Sequence, residues 1–187
     1  MIGFNLTEEQ KEMQAFYRKF SQERVKAAAE KMDEEEKMDM DLIREMQSLG
    51  MFGIPFSEEI GGAGLDVMNY VLLMEELSKV DASTSITVSV HTSLCASSIE
   101  EFATPEQKEK WLRPLVDGSK IGCFGLTEPD AGSDVAGART VAVKDGDEYV
   151  INGSKIFTTN SGFADTFLVF ALTDKEAGPH KGMSAFL

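Results

Sequence analysis

The residues of this chain that could do chemistry fall in two polar stretches. The first is Gly125-Leu126-Thr127-Glu128-Pro129-Asp130-Ala131-Gly132-Ser133-Asp134. It follows a short apolar run, 121–126, that reads as a buried strand, and Pro129 and Gly132 then enforce a loop. A loop of short hydroxyl and acidic side chains at a strand end offers backbone N–H groups and hydroxyls to a polar ligand. The second stretch is Asn152-Gly153-Ser154-Lys155-Ile156-Phe157-Thr158-Thr159-Asn160. Here Ile156, Phe157 and Thr158 are strand-like and end in hydroxyls and an amide. An aromatic face beside hydroxyl donors suits a planar, hydrogen-bonding heterocycle better than a phosphate or a metal ion.

Other groups are weaker candidates. Thr127 and Ser133 can equally act as ordinary turn caps. Glu128, Asp130 and Asp134 could serve as bases, but fixing the loop through backbone N–H groups is the simpler role. His91 has no neighbouring nucleophile or acid pair in the sequence and reads as a hydrogen-bonded buried histidine. The glycines of Glu58-Glu59-Ile60-Gly61-Gly62-Ala63-Gly64 lack the preceding strand and following Lys-Ser/Thr of a phosphate loop, and read as a helix connector. No Cys/His spacing fits a metal site. Cys95 and Cys123 sit in apolar company as free thiols.

The elements that must position these stretches are of two kinds. Thr7 with Gln10 is a capping-box pattern, and Met13, Phe16, Tyr17 and Phe20 recur at helical spacing, which predicts a helix from 7 to about 30. The acidic run 33–36 then reads as a solvated connection. A second helix, capped by Asp39 or Asp41, turns Leu42, Ile43, Met46 and Leu49 inward and closes at Gly50. A third, capped by Asp66, turns Val67, Tyr70, Val71, Met74 and Leu77 inward. Residues 82–99 contain no Asp, Glu, Lys or Arg but nine Ser or Thr, a pattern for a helix buried among others rather than in a bilayer. Thr104-Pro105 starts another helix, which Pro114 should kink or end. Beyond Asp117-Gly118-Ser119 the period changes from 3.6 to 2: Val141 with Val143, Tyr149 with Ile151, then 167–172 and 183–187 read as strands joined by tight turns at Asp145-Gly146 and Asn152-Gly153. The prediction is an α+β chain: a helical domain over residues 1–118, then an antiparallel β domain, barrel or sandwich, over 119–187.

Composition narrows the partners. The chain has 187 residues, with 18 Lys+Arg against 32 Asp+Glu and a net charge of −14, which argues against nucleic acid and anionic membrane surfaces. There is no secretory leader ahead of the first helix and no run of about 18 apolar residues, so the expectation is a cytoplasmic protein.

At its two polar stretches the sequence resembles the acyl-CoA dehydrogenase family. Residues 125–134 look like that family's flavin- and thioester-binding loop, and 152–160 like its second flavin-contacting strand; the general likeness is to the short-chain, butyryl-CoA type. The resemblance implies FAD as cofactor, held by Phe124, Gly125, Leu126, Thr127, Gly132, Ser133, Phe157, Thr158 and Thr159. Phe157 stands where many relatives carry Trp. It also implies an acyl-CoA substrate, with Ser133 at the CoA moiety and Leu94 and Ile99 along the acyl chain. Electron-transferring flavoprotein is the implied acceptor and a homotetramer the implied assembly. The resemblance spans only the family's amino-terminal half. The chain is therefore expected to be a fragment, without the carboxy-terminal helical domain that carries the family's catalytic Glu, and no general base is assigned in it. An acyl-CoA oxidase, a monooxygenase of the same superfamily, or a non-catalytic binding module are the alternatives.

Overall fold

A computed structural model describes residues 5–187. The chain divides into a helical unit ending at Lys120 and a sheet unit beginning at Ile121.

In the helical unit, helix α1 (Glu8–Phe20) opens with the reciprocal cap its sequence predicts. The Thr7 side chain accepts from the Gln10 N–H, and the Gln10 side chain accepts from the Thr7 N–H. The helix does not end near residue 30. It widens into a π turn at Ser21–Val25 and resumes as α2 (Lys26–Glu35), stopping only where Glu36 adopts φ 49°. The acidic run is thus the last turn of a helix rather than a connection. Glutamate is a good helix former, and these side chains keep their water on an exposed face. Helix α3 (Met40–Ser48) is capped by Asp39, which accepts from the Asp41 and Leu42 N–H groups; Leu42, Ile43 and Met46 are buried, but Leu49 is exposed.

Helix α4 (Val67–Ser78) has the predicted Asp66 cap and buries Leu77 as expected, but its other buried residues are Asn69, Leu72, Leu73 and Glu76, while Tyr70 and Met74 are half-buried and Val67 and Val71 are exposed. Its apolar residues lie on more than one side, so spacing alone does not select the buried face. Burial of Glu76 is tolerated because Arg18 of α1 donates two hydrogen bonds to it, at 2.9 and 3.2 Å. The stretch 82–99 is helical throughout, as α5 (Ala82–Ser89), a π segment Val90–Ala96 and α6 (Ser97–Phe102). Its buried hydroxyls find carbonyl acceptors, Thr87 in Ser83 of the preceding turn and Thr92 in Phe52, which lets them be buried. Helix α7 (Pro105–Gln107) continues through a π turn at Lys108–Leu112 into α8 (Arg113–Val116). Pro114 therefore does not end the helix; the widened turn just upstream accommodates the missing N–H. Gly62 is needed in the glycine loop for close packing, since a Cβ there would lie 2.2 Å from the Phe56 carbonyl oxygen. The core of this unit includes Tyr17, Ile43, Met46, Phe52, Phe56, Leu73, Leu77, Ile99 and Leu112.

The sheet unit has strands β1 (Gly122–Gly125), β2 (Val141–Asp145), β3 (Glu148–Asn152), β4 (Thr166–Leu172) and β5 (Met183–Phe186), with a short helix α9 (Pro179–Gly182) before the last. β4 is central. It pairs parallel with β1, from Gly122↔Thr166 to Gly125↔Val169, and parallel with β2 at Val141↔Leu172. The β2–β3 and β4–β5 pairs are antiparallel. The sheet is mixed, which corrects the expectation of an antiparallel barrel or sandwich. Alternation and tight turns identify the β2–β3 hairpin, but they do not fix the direction of strands paired across a long connection. β1 and β4 are separated by residues 126–165, long enough to return the chain to run in the same sense.

Candidate functional site

The site is built at the end of β1, where the chain leaves the sheet. Cys123 and Gly125 are buried, and the half-buried Phe124 ring lies 5.2 Å from that of Phe170 on β4. Residues 128–131 close a tight turn through two backbone hydrogen bonds, Glu128 N–H to Ala131 O at 3.0 Å and Ala131 N–H to Glu128 O at 3.1 Å, with Pro129 and Asp130 at its tip. The Glu128 carboxylate turns inward and is 6% exposed. It accepts from the Arg139 N–H at 2.6 Å, the Thr140 N–H at 3.0 Å and Lys155 Nζ at 2.7 Å. Burial would raise its pKa, but the Lys155 ammonium and the two amides overcome this and hold it at about 2. A carboxylate so bound is a structural anchor and a poor proton acceptor at neutral pH. Asp130 pairs at the surface with Arg139, at 3.3 Å.

The second stretch runs alongside the first in the opposite sense. Lys155 Nζ also donates to Leu126 O at 2.9 Å, Ile156 N–H donates to Thr127 O at 2.9 Å, and Asn160 Nδ2 donates to Gly122 O at 3.1 Å. Between these ties the chain is not the strand its residue types predict. Phe157 has φ 54° and Asn160 φ 72°, Thr159 N–H bonds back to Phe157 O, and Ser161 N–H to Thr158 O. The backbone donors are used inside the turn, so no ladder forms. The same turn throws Phe157 outward: its ring is 86% exposed, next to the half-buried Thr158 and Thr159. Upstream, Gly153 packs against Thr140, where a Cβ would lie 2.2 Å from the hydroxyl oxygen.

The residues singled out from sequence are therefore brought together in part. Phe124, Gly125, Leu126 and Thr127 lie beside the segment carrying Phe157, Thr158 and Thr159. Gly132 and Ser133 are exposed on the loop beyond the 128–131 turn. Leu94 and Ile99 belong to the helical unit, Leu94 at its surface and Ile99 in its core. His91 is fully buried, with Nε2 3.2 Å from Leu115 O and its ring edge-on to Phe52 at 4.9 Å; burial pushes its pKa down to about 4, against the opposing Leu115 contact. Burial pushes the Cys123 thiol up to about 11. Among the described residues no three His, Cys, Asp or Glu side chains gather to hold a metal ion, and no helix is long and apolar enough to cross a membrane. Lys155 and Asn160, not among the residues singled out from sequence, tie the two stretches together. A lysine and an asparagine inside a glycine-bounded polar stretch, opposite an acidic loop, were the available signal.

This donor set fits a flavin ring. A large apolar ring held outward in the left-handed region, where a non-glycine residue is disfavoured, has no packing role in this unit and is flanked by hydroxyls. A flat heterocycle with polar edges satisfies both features.

A helical unit leads into a mixed sheet, and the turn carrying this exposed ring is tied to β1 and the residues just after it by Lys155, Ile156 and Asn160. Residues 7–119 match the family described as acyl-CoA dehydrogenase, N-terminal domain, and residues 123–187 match acyl-CoA dehydrogenase, middle domain. The chain belongs to the acyl-CoA dehydrogenase family. It is 54% identical over 186 residues to the short-chain-specific acyl-CoA dehydrogenase of Clostridium acetobutylicum, covering 100% of this chain and 49% of that one. Among solved structures, butyryl-CoA dehydrogenase from Megasphaera elsdenii superposes with a TM-score of 0.93 at 46% identity, over 99% of this chain and 49% of that chain. A chain solved in work on the electron transferring flavoprotein of Acidaminococcus fermentans and flavin-based electron bifurcation gives 0.94 at 49% identity, over 99% and 48%. A glutaryl-CoA dehydrogenase from Mycobacterium smegmatis, in complex with FADH2, gives 0.88 at 37% identity, over 97% and 45%. The chain spans about half the length of the curated relatives it matches.

Proposed function

We propose that this chain forms the amino-terminal and middle portion of an FAD-dependent acyl-CoA dehydrogenase that desaturates short acyl chains such as butyryl-CoA between the α and β carbons. One observation carries the reading: the outward Phe157 ring and its neighbouring hydroxyls are bonded, through Lys155 and Ile156, to the strand end that carries Thr127. When bound, FAD supplies the hydride acceptor that no side chain offers. The residues that would hold it are Phe124, Gly125, Leu126, Thr127, Gly132, Ser133, Phe157, Thr158 and Thr159. Phe157 would cover one face of the ring, Thr127 would donate to its polar edge, and Thr159 would donate where negative charge grows on reduction. Ser133, exposed on the loop, would bind the CoA portion of the substrate, and the exposed Leu94 would flank the acyl chain.

No residue of this chain is given the role of removing the α proton. In this reading a carboxylate elsewhere in the whole enzyme does so. The further proposals are electron-transferring flavoprotein as acceptor, a homotetrameric whole enzyme and a cytoplasmic location. The test is to titrate the flavin-loaded whole enzyme with butyryl-CoA under anaerobic conditions. Bleaching of the flavin band with formation of the enoyl thioester is the expected result; an unchanged spectrum with butyryl-CoA and with longer and branched acyl-CoA thioesters would overturn the reading.

A further inference from the structure

Lys155 does something the two polar stretches do not need for packing alone. Its side chain is 11% exposed and its ammonium makes two bonds at once, to Glu128 Oε1 at 2.7 Å and to Leu126 O at 2.9 Å. The Glu128 carboxylate offsets its charge, but the Leu126 carbonyl is neutral and responds to it. Leu126 C=O and Thr127 N–H belong to one peptide group. A carbonyl that accepts from an ammonium in a low-dielectric setting is polarised, and the N–H of the same peptide becomes a stronger donor. The next carbonyl, Thr127 O, is fixed by the Ile156 N–H at 2.9 Å, so the peptide cannot swing to relieve the pull.

We propose that Lys155 is a positioning residue that sharpens the Thr127 N–H as a donor and thereby raises the protein's preference for reduced over oxidised flavin. The inference rests on the flavin reading above. It assigns to the Lys155–Glu128 pair a control over the bound cofactor, in addition to holding the loop.

Two variants separate this from a purely structural role because they should move the preference in opposite directions. Glu128→Gln leaves the ammonium unopposed, and the preference for reduced flavin should rise by about tenfold, because an uncompensated positive charge nearby favours the more electron-rich ring. The double variant Lys155→Met with Glu128→Gln removes the ammonium without stranding a buried carboxylate, and the preference should fall below that of the parent by about threefold, the loss of one polarised donor. The measurement is the affinity of each variant, made in the whole enzyme, for FAD and for FADH2, by anaerobic titration, with circular dichroism to show that each variant is folded. For a two-electron couple a tenfold change corresponds to about 30 mV, so the potential of the bound flavin gives an independent reading. Shifts of the same sign in both variants, or an unchanged ratio in the double variant while the parent binds flavin, would overturn the inference and leave the flavin site standing. A parent protein that binds neither form would overturn both.

Discussion

Lys155 Nζ lies 2.7 Å from Glu128 Oε1, and with only 11% and 7% of their side chains exposed the two form a buried ion pair linking the two polar stretches. Such a pair contributes little beyond a well-packed apolar one, yet losing a single partner leaves a charge stranded. Lys155→Met is expected to lower the unfolding free energy by about 3–5 kcal/mol. The double variant with Glu128→Gln should recover most of that. Urea denaturation of the parent, both single variants and the double variant checks both, and a double-variant loss equal to the sum of the two single losses would show that the pair is not coupled.

Acid sensitivity should come in two windows. His91 has a folded pKa of about 4 against an ordinary 6.5, so the unfolded chain binds the extra proton first. Stability is therefore lost as pH falls from about 6.5 to about 4, by up to roughly 3 kcal/mol. Glu128 has a folded pKa of about 2 against 4.5, so its contribution is present above 4.5 and is lost between about 4.5 and 2. His91→Gln should flatten the upper window and leave the lower one. A pH series of melting temperatures for parent and variant decides it.

Phe157 holds φ 54° with its ring in solvent. The left-handed region costs a non-glycine residue about 1–2 kcal/mol, partly returned as chain entropy when glycine is substituted. Phe157→Gly should therefore unfold within about 1 kcal/mol of the parent while flavin affinity falls by at least about tenfold, from loss of ring contact. A marked drop in melting temperature would mean that the ring packs against protein.

Thr159→Val nearly preserves volume and removes one donor. A hydrogen bond to a charged group contributes about 1.5–3 kcal/mol, so flavin reduction by acyl-CoA in the whole enzyme should slow by roughly tenfold to a hundredfold. Single-turnover stopped-flow spectroscopy is the measurement, and an unchanged rate would place the hydroxyl elsewhere.

Ser133→Ala should weaken acyl-CoA binding in the whole enzyme by about fivefold to tenfold, the effect of one neutral hydrogen bond, without changing flavin content. Equilibrium titration with a non-reactive CoA thioester tests it; equal affinity in parent and variant would remove Ser133 from the CoA site.

Much of this protein could be read from the sequence because the signals are local. The Thr7–Gln10 cap, the Thr104-Pro105 helix start, the Asp66 cap and the Asp145-Gly146 hairpin turn depend on residues a few positions apart, and all form as their spacing dictates. The two polar stretches were also legible, since glycine, proline and hydroxyl residues mark loops through their own backbone preferences. What the tertiary structure decided is whatever depends on a distant partner. The buried face of α4 was settled by Arg18 reaching Glu76, and the parallel pairing of β1 with β4 by a connection that returns the chain. The outward turn at Phe157 arises because Asn160 is bonded to the start of β1 at Gly122 and Ile156 to Thr127 just beyond its end, leaving the residues between them no strand to join. The inward Glu128 carboxylate likewise needed Lys155, 27 residues further on, and the Arg139 and Thr140 amides to gather around it. Local spacing carries no information about such meetings, because their energy exists only once the segments are packed together.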